Sequence, residues 1–84
     1  MGITMRKFVT ELRGKTVTTE EGQILGQVDN FVVDTLTGTI QHMLVAPSRN
    51  IERHNFQTDA SGRLIIPFKS MRAVKDVVMV DISK

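Results

Sequence analysis

Cysteine, tryptophan and tyrosine are absent, and proline occurs twice in 84 residues. Without cysteine there is neither a disulfide framework nor a thiolate metal site, so stability has to come from packing and from whatever the chain binds. No apolar run approaches the roughly 20 residues of a membrane-spanning helix, and Met1 to Val9 holds no stretch long enough for a secretory signal. The expectation is a soluble, cytoplasmic protein with no direct membrane insertion. Met1-Gly2 opens like a myristoylation site, but Arg6 stands where that motif needs Ser or Thr. Four phenylalanines are the whole aromatic complement, and the basic residues are scattered. A nucleic-acid surface gathers its cations on one face and interleaves stacking aromatics, so this composition argues against a nucleic-acid partner despite a pI near 9.4.

What is present is ordinary for a folded domain: 40% hydrophobic and 24% charged residues, with a net charge of +2. Residues 1 to 42 carry four Lys/Arg and five Asp/Glu, a balance of −1, and residues 43 to 84 carry seven and four, a balance of +3. A chain of this size buries only about 63% of its extended surface, which leaves a thin core.

Turn residues punctuate the chain at short intervals, and β-branched residues dominate between them, the pattern of short strands. Lys15–Thr18 reads as a first strand, ended by Thr19-Glu20-Glu21-Gly22. Ile24–Asp34 is the longest, with Leu25, Gln27 and Asp29 alternating against Gly26, Val28 and Asn30 until the phase breaks at Phe31-Val32-Val33. Such a break, like a glycine inside a strand, marks a bulge or bend. Asp34-Thr35-Leu36-Thr37-Gly38 is a hairpin loop, and Thr39–Ala46 returns with Ile40, His42, Leu44 and Ala46 on one face and Gln41, Met43 and Val45 on the other. Pro47–Asp59 is polar and aperiodic, with a short strand around Asn55–Thr58. Arg63–Pro67 is a buried strand, Phe68–Met71 a 3₁₀ or irregular turn, and Arg72–Lys75 with Val77–Ile82 a last hairpin about Lys75-Asp76. The fold class is therefore all-β: five to seven short strands with little helix, curled into a small, strongly bent β-barrel.

The order of these signals resembles the PRC-barrel domain. Leu12-Arg13-Gly14-Lys15-Thr16-Val17, then Ile24-Leu25-Gly26-Gln27-Val28 through Phe31-Val32-Val33-Asp34, carry the resemblance. Thr37-Gly38, Leu64-Ile65-Ile66-Pro67-Phe68 and Val77–Val80 continue it over about Leu12 to Ile82. It divides the chain into an N-terminal segment, 1–11, and a barrel domain, 12–84. A stand-alone domain of this length is similar to small archaeal PRC-barrel proteins, some implicated in cell division as partners of the SepF membrane anchor. The resemblance implies a scaffold without a catalytic centre and frequent dimerisation. It implies as partner a second copy, another PRC-barrel protein or SepF, in a homo- or heterodimer recruited to the division site at the membrane. Other members include a domain of a ribosome-maturation factor, which makes ribosome or RNA-associated assembly the alternative.

No constellation of residues points to catalysis. His42 and His54 are twelve residues apart and lack metal-motif spacing, and His42 reads as a packed or rim histidine. Asp29 and Asp34 lie about 16 Å apart along a strand, and Asp34 is better explained as a turn residue. There is no glycine-rich phosphate loop and no nucleophile elbow. Neither cofactor nor metal is expected. The apolar residues exceed what alternate positions of a closed sheet can bury, so an outward face is expected to be covered by a partner. Met43, Val45, Val78, Val80 and Ile82 are assigned to that interface. Arg49, Arg53 and Arg63 form a possible basic patch for a partner, diluted by Glu52 and Asp59.

Overall fold

A computed structural model describes residues 8–49, 51 and 56–82. Six strands follow in chain order: β1 (Thr16–Thr19), β2 (Ile24–Asp34), β3 (Thr39–Pro47), β4 (Leu64–Pro67), β5 (Met71–Val74) and β6 (Val77–Val80). They form one sheet in the order β4-β3-β2-β1-β6-β5, antiparallel throughout except for the parallel pair β1/β6. Residues 8–12 are helical, and a 3₁₀ turn, Phe68–Ser70, joins β4 to β5. The all-β architecture with little helix agrees with the sequence reading.

The two strands at opposite ends of the sheet are thus consecutive in the chain. Six strands laid flat would set β4 and β5 about 24 Å apart at roughly 4.8 Å per neighbour. The four residue steps from Pro67 to Met71 span at most about 14 Å when fully extended. Only a curled sheet meets both lengths. Curling substitutes for a closing ladder: among the described residues none joins β4 to β5, and the bend is sealed by the 3₁₀ turn, whose Ser70 carbonyl accepts the Asp81 amide at 2.8 Å. Three irregularities in the pairing supply curvature. β2 gains a residue opposite β1 at Leu25 and another opposite β3 at Asp29, and β3 gains one at Gln41. The first two lie upstream of the phase break read at Phe31-Val32-Val33, and as a result Leu25 and Val28 both face the core.

That core comprises Leu12, Val17, Leu25, Val28, Met43, Val45, Leu64, Ile66, Val78 and Val80. Each fully buried aliphatic side chain stabilises the fold by about 1.5–3 kcal/mol. Four of the residues assigned to an outward interface, Met43, Val45, Val78 and Val80, are core residues with no exposed surface, and Ile82 is half-buried against them. From His42 to Ala46 the alternation of β3 holds with the opposite polarity, whereas the bulge at Gln41 puts Ile40 and His42, expected on one face, opposite the adjacent residues Val33 and Val32 of β2. Neighbours on the opposite face are apolar too, such as Leu44 at 7% exposure, so the pattern does not mark which face is inward. At one end of the core Phe8 and Phe31 both meet Phe68 edge to face, with ring centroids 6.0 and 6.5 Å apart. Asn55 and residues 1–7 lie outside the described residues; of the expected strand at 55–58, Thr58 makes one bridge to Leu64.

Gly26 crosses the backbone of β3 at φ 153°, and a Cβ there would collide with the Ala46 carbonyl. Gly26→Ala is expected to cost about 3 kcal/mol or more, lowering the melting temperature in a thermal melt by over about 10 °C. Met43→Asp should abolish the cooperative melt, because an unpaired carboxylate would enter the core.

Candidate interaction surface

β2 is longer than its neighbours. β1 pairs with it only between Ile24 and Gln27, and β4 pairs with β3 only between His42 and Val45. Residues 33–40 therefore continue past the body of the sheet as a two-stranded arm. Its tip is tightly held. The Asp34 carboxylate accepts the amides of Leu36 and Thr37 at 2.9 and 3.4 Å and the Gln41 side-chain amide at 3.4 Å, while the Asp34 carbonyl accepts the Gly38 amide at 2.7 Å. Gly38 takes φ 75°, the left-handed position that closes such a loop. Upon this turn Leu36 stands 94% exposed, with Val32 and Val33 more than a third exposed behind it. A bulky aliphatic group on a preorganised turn loses little conformational freedom when it docks.

At the base of the arm the free edge of β2 is partly occupied. The Asn30 side-chain oxygen accepts the Phe31 amide at 2.9 Å, and Arg13 Nε donates to the Asp29 carbonyl at 3.3 Å. Occupied backbone groups of this kind discourage strand addition. The edge of β4 is likewise covered: Ile65 donates its amide to the Gln57 carbonyl and Asp59 to that of Arg63.

At the opposite end of the β2/β3 ladder lies a mostly apolar groove of about 380 Å³, walled by Ile24, Gly26, Ala46 and Pro47 with Arg49 at its rim. Its shape follows from two bonds that fasten the end of β3 to the start of β2. The Ser48 amide donates to the Leu25 carbonyl at 2.9 Å and its hydroxyl to the Ile24 carbonyl at 3.4 Å. Ile24 is 54% exposed here. A second cleft, of about 260 Å³, has Glu20, Glu21 and Asp81 among its lining residues. Among the described residues no three His, Asp or Glu side chains are grouped to hold a metal ion.

Of the expected basic patch, Arg63 is engaged by acidic partners. Arg63 is clamped between two carboxylates, its NH1 2.7 Å from Asp29 and its Nε 2.7 Å from Asp59. The bulge at Asp29 makes this bridge across 34 residues of chain. Asp59 also accepts the amides of Ser61 and Arg63, each at 2.9 Å, fixing the turn before β4. The Arg63 amide foremost, then its guanidinium, holds the Asp59 carboxyl below its ordinary value against an opposing desolvation, and the bonds to Asp29 and then Asp59 raise that of Arg63. Arg49 is exposed at the groove, well separated in role from this clamp, and Arg53 and His54 lie outside the described residues. His42 is half-buried, paired across the ladder with Val32 and Pro67. Sequence reasoning missed Leu36 and the Asp29–Arg63–Asp59 clamp. The signal for Leu36 was present as the one apolar residue in an otherwise polar turn, whereas the clamp depends on a bulge that no local pattern announces.

A family model described as the PRC-barrel domain matches residues 5–84. No curated protein matches the chain. Among solved structures, a protein from Pseudomonas aeruginosa described as a 16S ribosomal RNA processing protein, RimM, is similar in fold, with a TM-score of 0.63 and 16% identity. The match covers 89% of this chain and 43% of that one, so the chain spans less than half of that protein's length.

The clamp generates a pH prediction. Because the Asp59 pKa is depressed on folding, its contribution is complete above the ordinary value of 3.8 and is lost as pH falls through the lower folded value. The melting temperature of Asp59→Asn should therefore lie below that of the parent at pH 7, and the gap should narrow as the pH is taken below about 4. A gap that stays constant down to pH 2 would show that ionisation of Asp59 is not what fixes the turn.

Proposed function

Since the chain belongs to the PRC-barrel domain family, we propose that it is a non-enzymatic protein-docking module. The observation that carries this reading is the arm: a rigid turn holding Leu36 almost fully in solvent, backed by Val32 and Val33. Contiguous apolar side chains left in solvent mark interaction sites. As partner the resemblance of the sequence supports a division complex, with SepF or another PRC-barrel protein recruiting the chain from the cytoplasm to the division site. Among the described residues no helix is long and apolar enough to cross a membrane, so in this reading the membrane is reached through the partner.

The second reading, a ribosome-assembly factor, is favoured by the likeness to the RNA-processing protein. The two are separated by one set of reagents. Tagged parent chain and Leu36→Asp are mixed with the SepF homologue of the same organism and analysed by size-exclusion chromatography; both are also sedimented with ribosomal subunits. Docking through the arm predicts that the parent co-migrates with one of the two and that Leu36→Asp weakens the association at least about tenfold. Equal retention of both chains would remove the arm from the docking reading. If the contact is instead to ribosomal RNA, it should weaken steeply with salt.

A further inference from the structure

We propose that the groove beside Ile24 is a second docking site, independent of the arm, and that it takes an extended segment of a partner protein in which an aliphatic side chain lies within three residues of a carboxylate. The aliphatic group seats against Ile24, Ala46 and Pro47, and Arg49 receives the carboxylate. The hollow follows from the register of three strands. Thr16, Gln27 and Ala46 are partners across β1, β2 and β3, and Ala46 fills its place in that row with only a methyl group. Gly26 beside it adds nothing, since a Cβ there would collide with the Ala46 carbonyl. The bulge that turns Leu25 into the core leaves Ile24 outside as the aliphatic wall. On the other side, the bond from the Ser48 amide to the Leu25 carbonyl carries Arg49 alongside the start of β2. The result is a recess of about 380 Å³, apolar on one flank and edged by Thr16 and Gln27.

Charge selects the occupant. Among the described residues Arg49 is the one charged group lining the recess, it is exposed, and no carboxylate bridges it. An exposed ion pair contributes little by itself, so the aliphatic contact supplies the affinity and the guanidinium decides which segments are accepted. The Thr16 hydroxyl and the Gln27 amide supply donors and acceptors for the peptide groups between the two anchors. A small molecule fits poorly, because such sites enclose most of their ligand, whereas here Ile24 is 54% exposed and Ala46 is exposed too. A segment carried by a folded partner needs to bury only one side. A nucleic-acid strand would need a row of cations and stacking aromatics, and this lining has one cation and no aromatic ring.

The test is an amide NMR titration of the isotope-labelled full chain with acetylated, amidated hexapeptides in a glycine/serine background. Each carries one leucine and one aspartate, adjacent or separated by one or two residues. At least one spacing should shift the amides of Ile24, Gln27, Ala46 and Arg49 in a saturable way. Alanine for the peptide's leucine, or asparagine for its aspartate, should weaken that binding several-fold. Ala46→Glu should abolish it. Arg49→Glu should weaken it at least about tenfold and should instead favour the peptide with lysine in place of aspartate. Both positions are exposed, so both variants should keep the dispersed spectrum of the parent. The groove assignment is overturned by the absence of groove shifts with every peptide at millimolar concentration, by Arg49→Glu binding like the parent, or by groove shifts that only an oligouridylate produces. Shifts confined to Leu36 and Thr37 would also overturn it while supporting the arm. The two sites are read at opposite ends of β2, so either can fail alone.

Discussion

The link between β4 and β5 governs the shape of this protein. Strands at the two ends of the hydrogen-bonded order are tied by a single 3₁₀ turn, so the sheet has to roll up. Everything buried follows from that roll. Val17, Met43, Val45, Ile66, Val78 and Val80 reach one another because their strands wrap a common axis, and the Phe8–Phe68–Phe31 edge-to-face contacts seal the seam. Bulges at Leu25, Asp29 and Gln41 relieve the strain that so tight a curl would put on straight ladders.

Rolling also sorts the side chains into two groups that look alike in one dimension. Met43 and Leu44 are adjacent, both apolar and both buried, yet only Met43 belongs to the central cluster. Strand existence was legible because β-branched runs and turn residues are local properties, and the bounds of the longest strand, Ile24–Asp34, are those read from the sequence. Which face of each strand looked inward was not legible, because that is set by the curl. The candidate surface was legible only in part: the Asp34–Gly38 loop was read as a hairpin turn, but the significance of Leu36 depends on how far β2 outruns β1 and β4.

Two groups of charges among the described residues hold loops. Asp34 organises the arm's turn, and Asp59 and Asp29 hold Arg63 before β4. Arg63 is an example of a cation that composition would count toward a basic surface but that geometry withdraws from it. The high pI therefore says little about partners. The match to the PRC-barrel family gives the scaffold, and the arm bearing Leu36 and the groove beside Ile24 are features of its surface.

The parallel pairing of β1 with β6 has a consequence for the order in which the chain is made. Thr16 meets Val77 and Thr19 meets Val80, partners separated by about sixty residues. The central hairpin forms from local contacts, but β1 waits beside it with one edge bare until nearly the last residues of the domain have left the ribosome. During synthesis the domain is therefore an incomplete sheet for most of its length, and its cooperative stability arrives late, when the C-terminal strand slots in beside the first.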